Sequence, residues 1–438
     1  MDKNKIVLIG AGLSGPVMGI YLSQHGLNVD IYEKRPDMRS NNMSAGRSIN
    51  LALSIRGIRA LKEIGIFNEI KPLLIPMKGR MIHDIDGQTA MQPYGQKNNE
   101  VIYSVSRADL NKKLMNAAEN TGKINFFFNH DLISADLRNN FLLFNNKKKI
   151  SFNSVIGCDG SSSILRDEII RESNAKFVKK PLGHAYKELT IPPISNQFAI
   201  KSDVLHIWPR GNFMLIALPN MDKSFTCTLF MPSKGTTSFE TIKTTKEVND
   251  LFKTYFPDIL DLIPTLHDDY IKNPTGALAT IYLDPWHFDN RALLIGDAAH
   301  AIVPFFGQGM NASFQDCTTL NKLIKKEKND WGRIFSTFSK QHVVNGHAIA
   351  DMAIENYEEM RDSVNKTSFQ AQRKLEFSLE KQFPNKFIPR YSMVSFSERP
   401  YSEVYNKGEK QYKLLNALLE IDPSGNTINS DIVDRYIN

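Results

Sequence analysis

A glycine-rich turn near the start of the chain most constrains its fold. Gly10, Gly12 and Gly15 form a Gly-x-Gly-x-x-Gly pattern between the apolar run Ile6–Ile9 and a helical pattern over Leu13–His25. In a strand-turn-helix unit of this kind the first glycine permits a tight turn, the second lets backbone approach a pyrophosphate, and the third allows close packing of helix on strand. The N-terminus of the helix then faces the phosphates. The chain therefore begins as a dinucleotide-binding unit.

A carboxylate extends this pattern. Glu33 directly follows the next strand-like run, Val29–Tyr32. At the end of this strand its carboxylate can accept hydrogen bonds from the adenosine ribose. An acidic residue there disfavours a ribose 2′-phosphate, so FAD or NAD suits the pocket better than NADPH. The distant Gly296-Asp297 pair, followed by the Gly307-Gln-Gly309 loop, favours FAD because an extended flavin half needs a second contact. The alternative role for Asp297 is a helix N-cap.

The remaining pattern predicts an α/β protein with a parallel sheet. Strand-like runs alternate with helical runs, between about 177 and 282 the texture is β-rich, and from Trp331 onward it is helical. The predicted strands are Ile6–Ile9, Val29–Tyr32, Ser154–Ile156 and Ala292–Ile295, and the predicted helices are Leu13–His25, Ile58–Ile64, Arg107–Ala118 and Gln308–Lys325. We predict a discontinuous Rossmann-like FAD-binding domain in 1–75, 100–176 and 283–330, an inserted β-sheet substrate domain in 76–99 and 177–282, and a helical C-terminal region in 331–438.

Composition excludes several other classes of protein. A chain of 438 residues with 42% hydrophobic content can bury a large core. The net charge of +7 comes from scattered lysines, as in Lys147–Lys149, which favours a solvated basic surface over nucleic-acid binding. The chain has three cysteines, Cys158, Cys227 and Cys317, without any Cys-x-x-Cys spacing, so we expect neither a disulfide framework nor a zinc site. We expect the protein to reside in a reducing cytoplasm.

Three segments together resemble the fingerprints of the single-component FAD-dependent aromatic hydroxylases. They are Gly10–Glu33, Cys158-Asp159-Gly160 after a strand-like run, and Gly296–Asn311. Longer strings are similar to those of the kynurenine 3-monooxygenase family, namely Gly46–Ser54 with Arg56-Gly57, Gly79–Met81, Pro93–Gly95 and Val303–Asn311. The similarity extends from the first strand to about Ser397.

The resemblance implies a flavoprotein monooxygenase of the kynurenine pathway of tryptophan catabolism, which also leads through quinolinate to NAD. Such an enzyme uses noncovalent FAD, NADPH and O2 to convert L-kynurenine to 3-hydroxy-L-kynurenine through a flavin C4a-hydroperoxide. Eukaryotic members carry a hydrophobic C-terminal segment, whereas this chain ends in polar residues after Asp422, so we expect a soluble, cytoplasmic monomer or homodimer. Two alternatives stay open: a hydroxylase of another aromatic acid, and a non-catalytic binding protein of the same fold.

The resemblance also implies which residues form the sites. The substrate-binding positions are Arg80, Tyr94, Asn356 and Tyr391, with Phe306 and Met360 as apolar walls. A guanidinium suits a planar carboxylate, although an isolated arginine is usually a surface residue and a tyrosine often packs in a core. The cofactor-binding positions are Gly10, Gly12, Leu13, Gly15, Glu33, Lys34, Arg35, Ala52, Arg107, Leu132, Asp159, Asp297, Gly309, Met310 and Asn311. Asp159 with Gly160 also matches a position linked to NADPH use, and for His300 we expect a structural hydrogen bond.

Overall fold

The computed structural model describes residues 4–40, 50–364 and 366–437, which form two compact units. The first unit lies within Met1–Leu74, Val105–Lys180 and Ala279–Asp351, and the second within Ile75–Ser104, Pro181–Leu278 and Met352–Asn438. Each unit thus combines three stretches of the chain. The three-region division expected from the sequence stays a prediction.

The strands and helices of the described residues follow in chain order. The strands are β1 (Lys5–Ile9), β2 (Asn28–Tyr32), β3 (Leu51–Leu53), β4 (Ile75–Met77), β5 (Gly79–His83), β6 (Thr89–Pro93), β7 (Ile102–Val105), β8 (Ile124–Phe127), β9 (Leu132–Asp136), β10 (Phe141–Phe144), β11 (Lys149–Ser151), β12 (Val155–Gly157), β13 (Lys176–Ile191), β14 (Leu205–Pro209), β15 (Met214–Pro219), β16 (Phe225–Pro232), β17 (Gly276–Asp284), β18 (His287–Phe288) and β19 (Ala292–Leu294). The helices are α1 (Ser14–Gln24), α2 (Ile55–Glu63), α3 (Phe67–Ile70), α4 (Arg107–Glu119), α5 (Ile164–Ser173), α6 (Thr245–Tyr255), α7 (Leu266–Lys272), α8 (Asp297–His300), α9 (Gly309–Glu327), α10 (Trp331–Glu358), α11 (Thr367–Gln382), α12 (Arg390–Phe396), α13 (Tyr401–Ile421) and α14 (Ser430–Ile437).

The first unit is built on a six-stranded sheet in the order β18-β19-β12-β1-β2-β8. Its inner strands run parallel, with Leu8 of β1 in register with Ile31 of β2 and Ile156 of β12. These strands are short apolar runs that are buried, as strands covered on both faces are. The helix α1 packs against α4 and α9 in the same unit. The α/β fold class and the four strands and four helices expected from the sequence are confirmed, with ends shifted by a few residues.

A second sheet has the order β17-β13-β16-β15-β14-β5-β6. The strands β13, β16, β15 and β14 are antiparallel neighbours, whereas β14 and β5 run parallel. Inward side chains such as Trp208, Leu215 and Phe225 form a core with Phe252 of α6. The expected β-rich region is therefore confirmed. The strand β5 matters most for function because it carries Arg80, in register with Leu205 of β14 and Gln92 of β6.

The C-terminal part of the second unit is helical, as expected. Leu375 and Leu379 of α11 pack with Leu414 and Leu418 of α13 and with Val433 of α14. The apolar run near the end of α13 is therefore a packing surface between helices. In the part of the chain that the structure describes, no helix combines the length and the hydropathy of a membrane span.

Candidate functional site

The glycine turn of the first unit has the geometry that a dinucleotide needs. Gly10 has φ +102° and its N–H donates to the Tyr32 carbonyl at 2.7 Å. A Cβ at Gly10 would lie 2.4 Å from the Cys158 carbonyl oxygen, and one at Gly15 only 2.1 Å from the Gly10 carbonyl oxygen. A Cβ at Gly12 would point into open space. Two glycines thus pack the turn, and the third leaves room for a ligand.

Glu33 is anchored at the end of β2 beside this turn. Its carboxylate accepts the Ala11 N–H at 2.8 Å and the Arg35 N–H and Nε–H at 3.0 and 2.7 Å. Although burial opposes it, these hydrogen bonds hold the pKa of Glu33 below its usual value, so the group is an anion with lone pairs to spare. Lys34 and Arg35 are exposed, and Leu13 is buried next to α1. The contacts of Glu33 suit a ribose hydroxyl donor.

Two buried polar atoms near the turn lack partners among the described residues. The Asn111 amide donates from Nδ2 to the Ala11 carbonyl at 3.1 Å, but its Oδ1 accepts nothing. Asp159 accepts the Ile164 N–H at 3.1 Å through Oδ2, while its Oδ1 is unpaired and burial raises its pKa. Buried polar atoms of this kind are normally satisfied, so these two oxygens would suit the donors of a bound group. Sequence reasoning missed Asn111, although it lies one helical turn after Arg107 on α4.

The second cofactor segment begins at α8. Gly296 has φ +61°, and Asp297 opens the helix with an exposed carboxylate that makes no hydrogen bond with the described residues. After the turn at Gly307, α9 begins at Gly309, so the N–H groups of Gly309, Met310 and Asn311 are those a helix leaves unpaired. Such a terminus stabilises negative charge. This arrangement offers a carboxylate to a ribityl hydroxyl and N–H groups to a flavin ring.

The Asn311 side chain has a different role. Its Oδ1 accepts the Ser54 N–H at 2.9 Å, and its Nδ2 donates to the carbonyls of Ala52 and Gly307 at 2.8 and 2.9 Å. The amide therefore ties β3 and the Gly307 turn to α9. A contact of Asn311 with a ligand would use its backbone N–H.

The other cofactor positions lie in the same unit. Arg107 is exposed at the start of α4 and makes no ion pair within the described ranges, and Leu132 is buried at the start of β9. Residues 46–49 of the string Gly46–Ser54 lie outside the described residues. Taken together, the anionic Glu33, the open space at Gly12, the unpaired buried oxygens and the α9 N-terminus fit FAD. These residues stay predictions for its binding.

In the second unit, Arg80 is a buried cation with spare donors. Its side chain is 8% exposed; Nη1 donates to Glu359 at 2.8 Å and Nη2 to Asn356 at 3.2 Å, while Nε has no partner in the described chain. Although burial disfavours the charge, the Glu359 carboxylate holds the pKa of Arg80 above its usual value. Arg80 is therefore a buried residue and not the surface arginine that an isolated arginine usually is.

Two tyrosines lie over the guanidinium. The rings of Tyr94 and Tyr391 stack with centroids 4.9 Å apart, and the Arg80 Cζ lies 6.0 and 5.2 Å from the two centroids. Burial raises the pKa of both phenols, so both remain O–H donors. The Tyr94 hydroxyl is buried and makes no hydrogen bond of normal geometry with the described residues, although Tyr391 and Arg80 are near enough to influence its pKa. It is a second donor without a well-formed hydrogen bond among the described residues.

Sequence reasoning missed the acid in this cluster. Asn356 lies in the last turn of α10, and Glu359 directly follows that helix. The Asn356 Nδ2 also donates to the Met360 Sδ at 3.2 Å. The Glu359 side chain is 37% exposed. The signal was its spacing of three residues from Asn356, which places both on one helical face.

The structure places three further residues. Arg390, another cation of the second unit, donates to Glu355 and, at 2.8 Å, to Glu409, so it is already paired with two carboxylates. Met360 is 2% exposed within the second unit, and Phe306 is buried in the short Pro304–Phe306 turn of the first unit. The structure therefore brings Arg80, Tyr94, Asn356, Tyr391 and Met360 together, with Phe306 described only within its own unit.

Comparison with known proteins agrees with this geometry. The family model described as "FAD binding domain" matches residues 3–334. The chain is 42% identical to the kynurenine 3-monooxygenase of Myxococcus xanthus, over 95% of this chain and 91% of that protein. It is 41% identical to the kynurenine 3-monooxygenase of Dictyostelium discoideum, over 98% and 96%.

Solved structures share the fold at lower identity. A tetrameric 2-methyl-3-hydroxypyridine-5-carboxylic acid oxygenase superposes with a TM-score of 0.68 at 17% identity, covering 84% of this chain and 95% of that one. The family match and the full-length relatives together show that this chain belongs to the FAD-binding-domain family and, within it, to the kynurenine 3-monooxygenases.

Proposed function

We propose that this protein hydroxylates L-kynurenine at ring carbon 3, consuming NADPH, a proton and O2 and releasing 3-hydroxy-L-kynurenine, NADP⁺ and water. The observation that carries the substrate assignment is the buried cluster around Arg80. It combines a guanidinium with an unused Nε–H, an unused Tyr94 hydroxyl and the Glu359 carboxylate.

This cluster matches the head group of an α-amino acid. The substrate carboxylate would accept from Arg80 and Tyr94, and charge-assisted hydrogen bonds to a buried guanidinium are the strong ones. Glu359, only 2.8 Å from Arg80, would accept from the adjacent ammonium group. A plain benzoate presents a carboxylate without an ammonium, so it would leave Glu359 competing for Arg80. The cluster therefore favours a zwitterion.

The cofactor part of the proposal rests on the first unit. When bound, FAD supplies the redox chemistry, through which the two electrons of NADPH and O2 deliver one oxygen atom to the substrate ring. Glu33 would hold the adenosine ribose and Asp297 the ribityl chain, while the N–H groups at the start of α9 would stabilise negative charge on the ring. Arg107 would compensate the cofactor's charge. No protein base is required, because the aniline amine of kynurenine activates the neighbouring carbon.

The proposal includes a cytoplasmic location. The three cysteines, Cys158, Cys227 and Cys317, are all free thiols. Burial raises the pKa of each, so they remain protonated and unreactive. Free, unpaired cysteine thiols are typical of proteins in a reducing compartment.

The test is a substrate panel on FAD-loaded protein. NADPH oxidation is measured with kynurenine, tryptophan, 4-hydroxybenzoate and the kynurenine analogue that lacks the α-amino group. We expect strong stimulation of NADPH oxidation, and a hydroxylated product, only with kynurenine among these four compounds. Faster hydroxylation of 4-hydroxybenzoate would show that the substrate is another aromatic acid, and protein that carries no flavin would contradict the enzymatic function itself.

A further inference from the structure

The helix α8 is too short to hold Asp297 in place on its own. It consists of four residues, Asp297–His300, and a single turn has a costly nucleus and no intrinsic stability. It also starts from Gly296, whose φ of +61° and ψ of −145° lie in a region essentially restricted to glycine. A Cβ there would in addition lie 2.8 Å from the Ser313 Oγ. The direction of the Asp297 carboxylate therefore depends on what fixes Gly296 from outside the turn.

The group that fixes it is the buried carboxylate of Asp316 on α9. Its Oδ2 accepts the Gly296 N–H at 2.8 Å and a hydrogen bond from His300 Nε2 at 2.6 Å. The Asp316 side chain is 4% exposed and that of His300 is 3% exposed. The expected structural hydrogen bond of His300 is thus confirmed. Since Gly296 precedes α8 and His300 ends it, one carboxylate closes both ends of the turn.

The carboxylate is itself held rigidly. Its Oδ1 accepts from His342 Nδ1 of α10 at 3.2 Å. The ring of His300 stacks on Trp286 with centroids 4.9 Å apart, and the ring of His342 stacks on Phe338 at 4.5 Å. Although burial opposes ionisation, the two histidines hold the pKa of Asp316 well below its usual range. Because both of its carboxylate oxygens accept hydrogen bonds from fixed donors, the Asp316 side chain is held in one rotamer.

We propose that Asp316 is a positioning residue for the cofactor: by holding Gly296 and His300 it aims the Asp297 carboxylate at the ribityl chain of FAD. The inference rests on the FAD site of the proposed function. Asp316 touches no ligand in this scheme and acts through Asp297. The affinity for FAD should therefore depend on Asp316 only while Asp297 can still make its hydrogen bond.

The experiment measures FAD binding to flavin-free protein by fluorescence titration, without substrate. Losing one charge-assisted hydrogen bond weakens binding about ten- to hundred-fold, so Asp316→Asn and Asp297→Asn should each raise the Kd by that factor. The double variant should be no weaker than the weaker single variant, because the two residues act in series. The visible circular dichroism of bound FAD should change in Asp316→Asn.

Control variants separate positioning from stability. Glu168 is another buried acid of the same unit, on α5 and paired with Arg171, so Glu168→Gln should lower stability and leave the Kd unchanged. His342→Gln removes only the outer donor and should raise the Kd a few-fold, which keeps the inference testable if Asp316→Asn does not fold. An Asp316→Asn Kd within two-fold of wild type, or effects that multiply in the double variant, would overturn it. Wild-type protein that does not bind FAD would instead contradict the proposed function.

Discussion

Removal of the Arg80 guanidinium should sharply weaken the binding of kynurenine. In Arg80→Ala the substrate carboxylate would lose a partner that is 92% shielded from water, and loss of a desolvated charge pair costs about 2–5 kcal/mol. That corresponds to roughly thirty-fold to several thousand-fold in affinity for kynurenine. The FAD content should not change, because the cofactor residues belong to the first unit.

Two companion variants sharpen this prediction. Arg80→Lys keeps the charge but loses the planar fork, so it should restore only part of the affinity. Lys78→Ala is the matched control, because Lys78 adjoins the same strand and forms an exposed ion pair with Asp203 at 3.0 Å. Exposed pairs contribute about 0–1 kcal/mol, so its KM should stay within a few-fold of wild type.

The assay is steady-state kinetics with kynurenine on variants whose flavin content and melting temperature have been measured. A raised KM for Arg80→Ala beside a normal one for Lys78→Ala is the expected result. A KM and rate close to wild type in flavin-replete Arg80→Ala would refute the role of Arg80 as carboxylate anchor.

Three further outcomes are expected. Gly12→Val should abolish FAD loading, measured as flavin released on heating, because its side chain fills the space left for the pyrophosphate; a normal flavin content would contradict this. Glu359→Gln should weaken kynurenine binding about ten-fold and binding of the desamino analogue far less; equal losses would exclude an ammonium contact. Burial lowers the pKa of His206 from 6.5 to about 4, so the unfolded chain binds that proton more readily. Stability in urea should therefore fall by about 3 kcal/mol as the pH drops from 6.5 to 4, and a similar fall in His206→Gln would show that another group is responsible.

Local sequence patterns predicted the first unit well. The Gly10–Gly15 turn and Glu33 belong to one strand-turn-helix-strand stretch of the chain, so local spacing predicts these elements. The β-rich region and the helical C-terminal part were also evident, since their periodicity is local. The positions of Arg80, Tyr94 and Tyr391 came from resemblance to a family and agree with one buried cluster.

The residues that were missed depend on distant partners. Glu359 belongs to the acidic pair Glu358-Glu359, which resembles an ordinary solvated helix face. Its three-residue spacing from Asn356 places it on the same face, but that spacing does not reveal its pairing with Arg80, 279 positions away. Asn111 and Asp316 are polar residues within helices whose importance comes from burial against a backbone group elsewhere. Periodicity predicts which face of a helix is buried, but it does not identify the backbone group that a buried polar side chain will meet.

The source of the new oxygen atom in the product decides whether this protein is a kynurenine hydroxylase. FAD-loaded protein is incubated with NADPH, kynurenine and ¹⁸O2, and the products are identified by mass spectrometry. We expect 3-hydroxykynurenine that carries one ¹⁸O atom, formed in step with NADPH consumption. NADPH consumption that yields hydrogen peroxide without hydroxylated kynurenine, or a product whose new oxygen comes from water, would contradict this expectation.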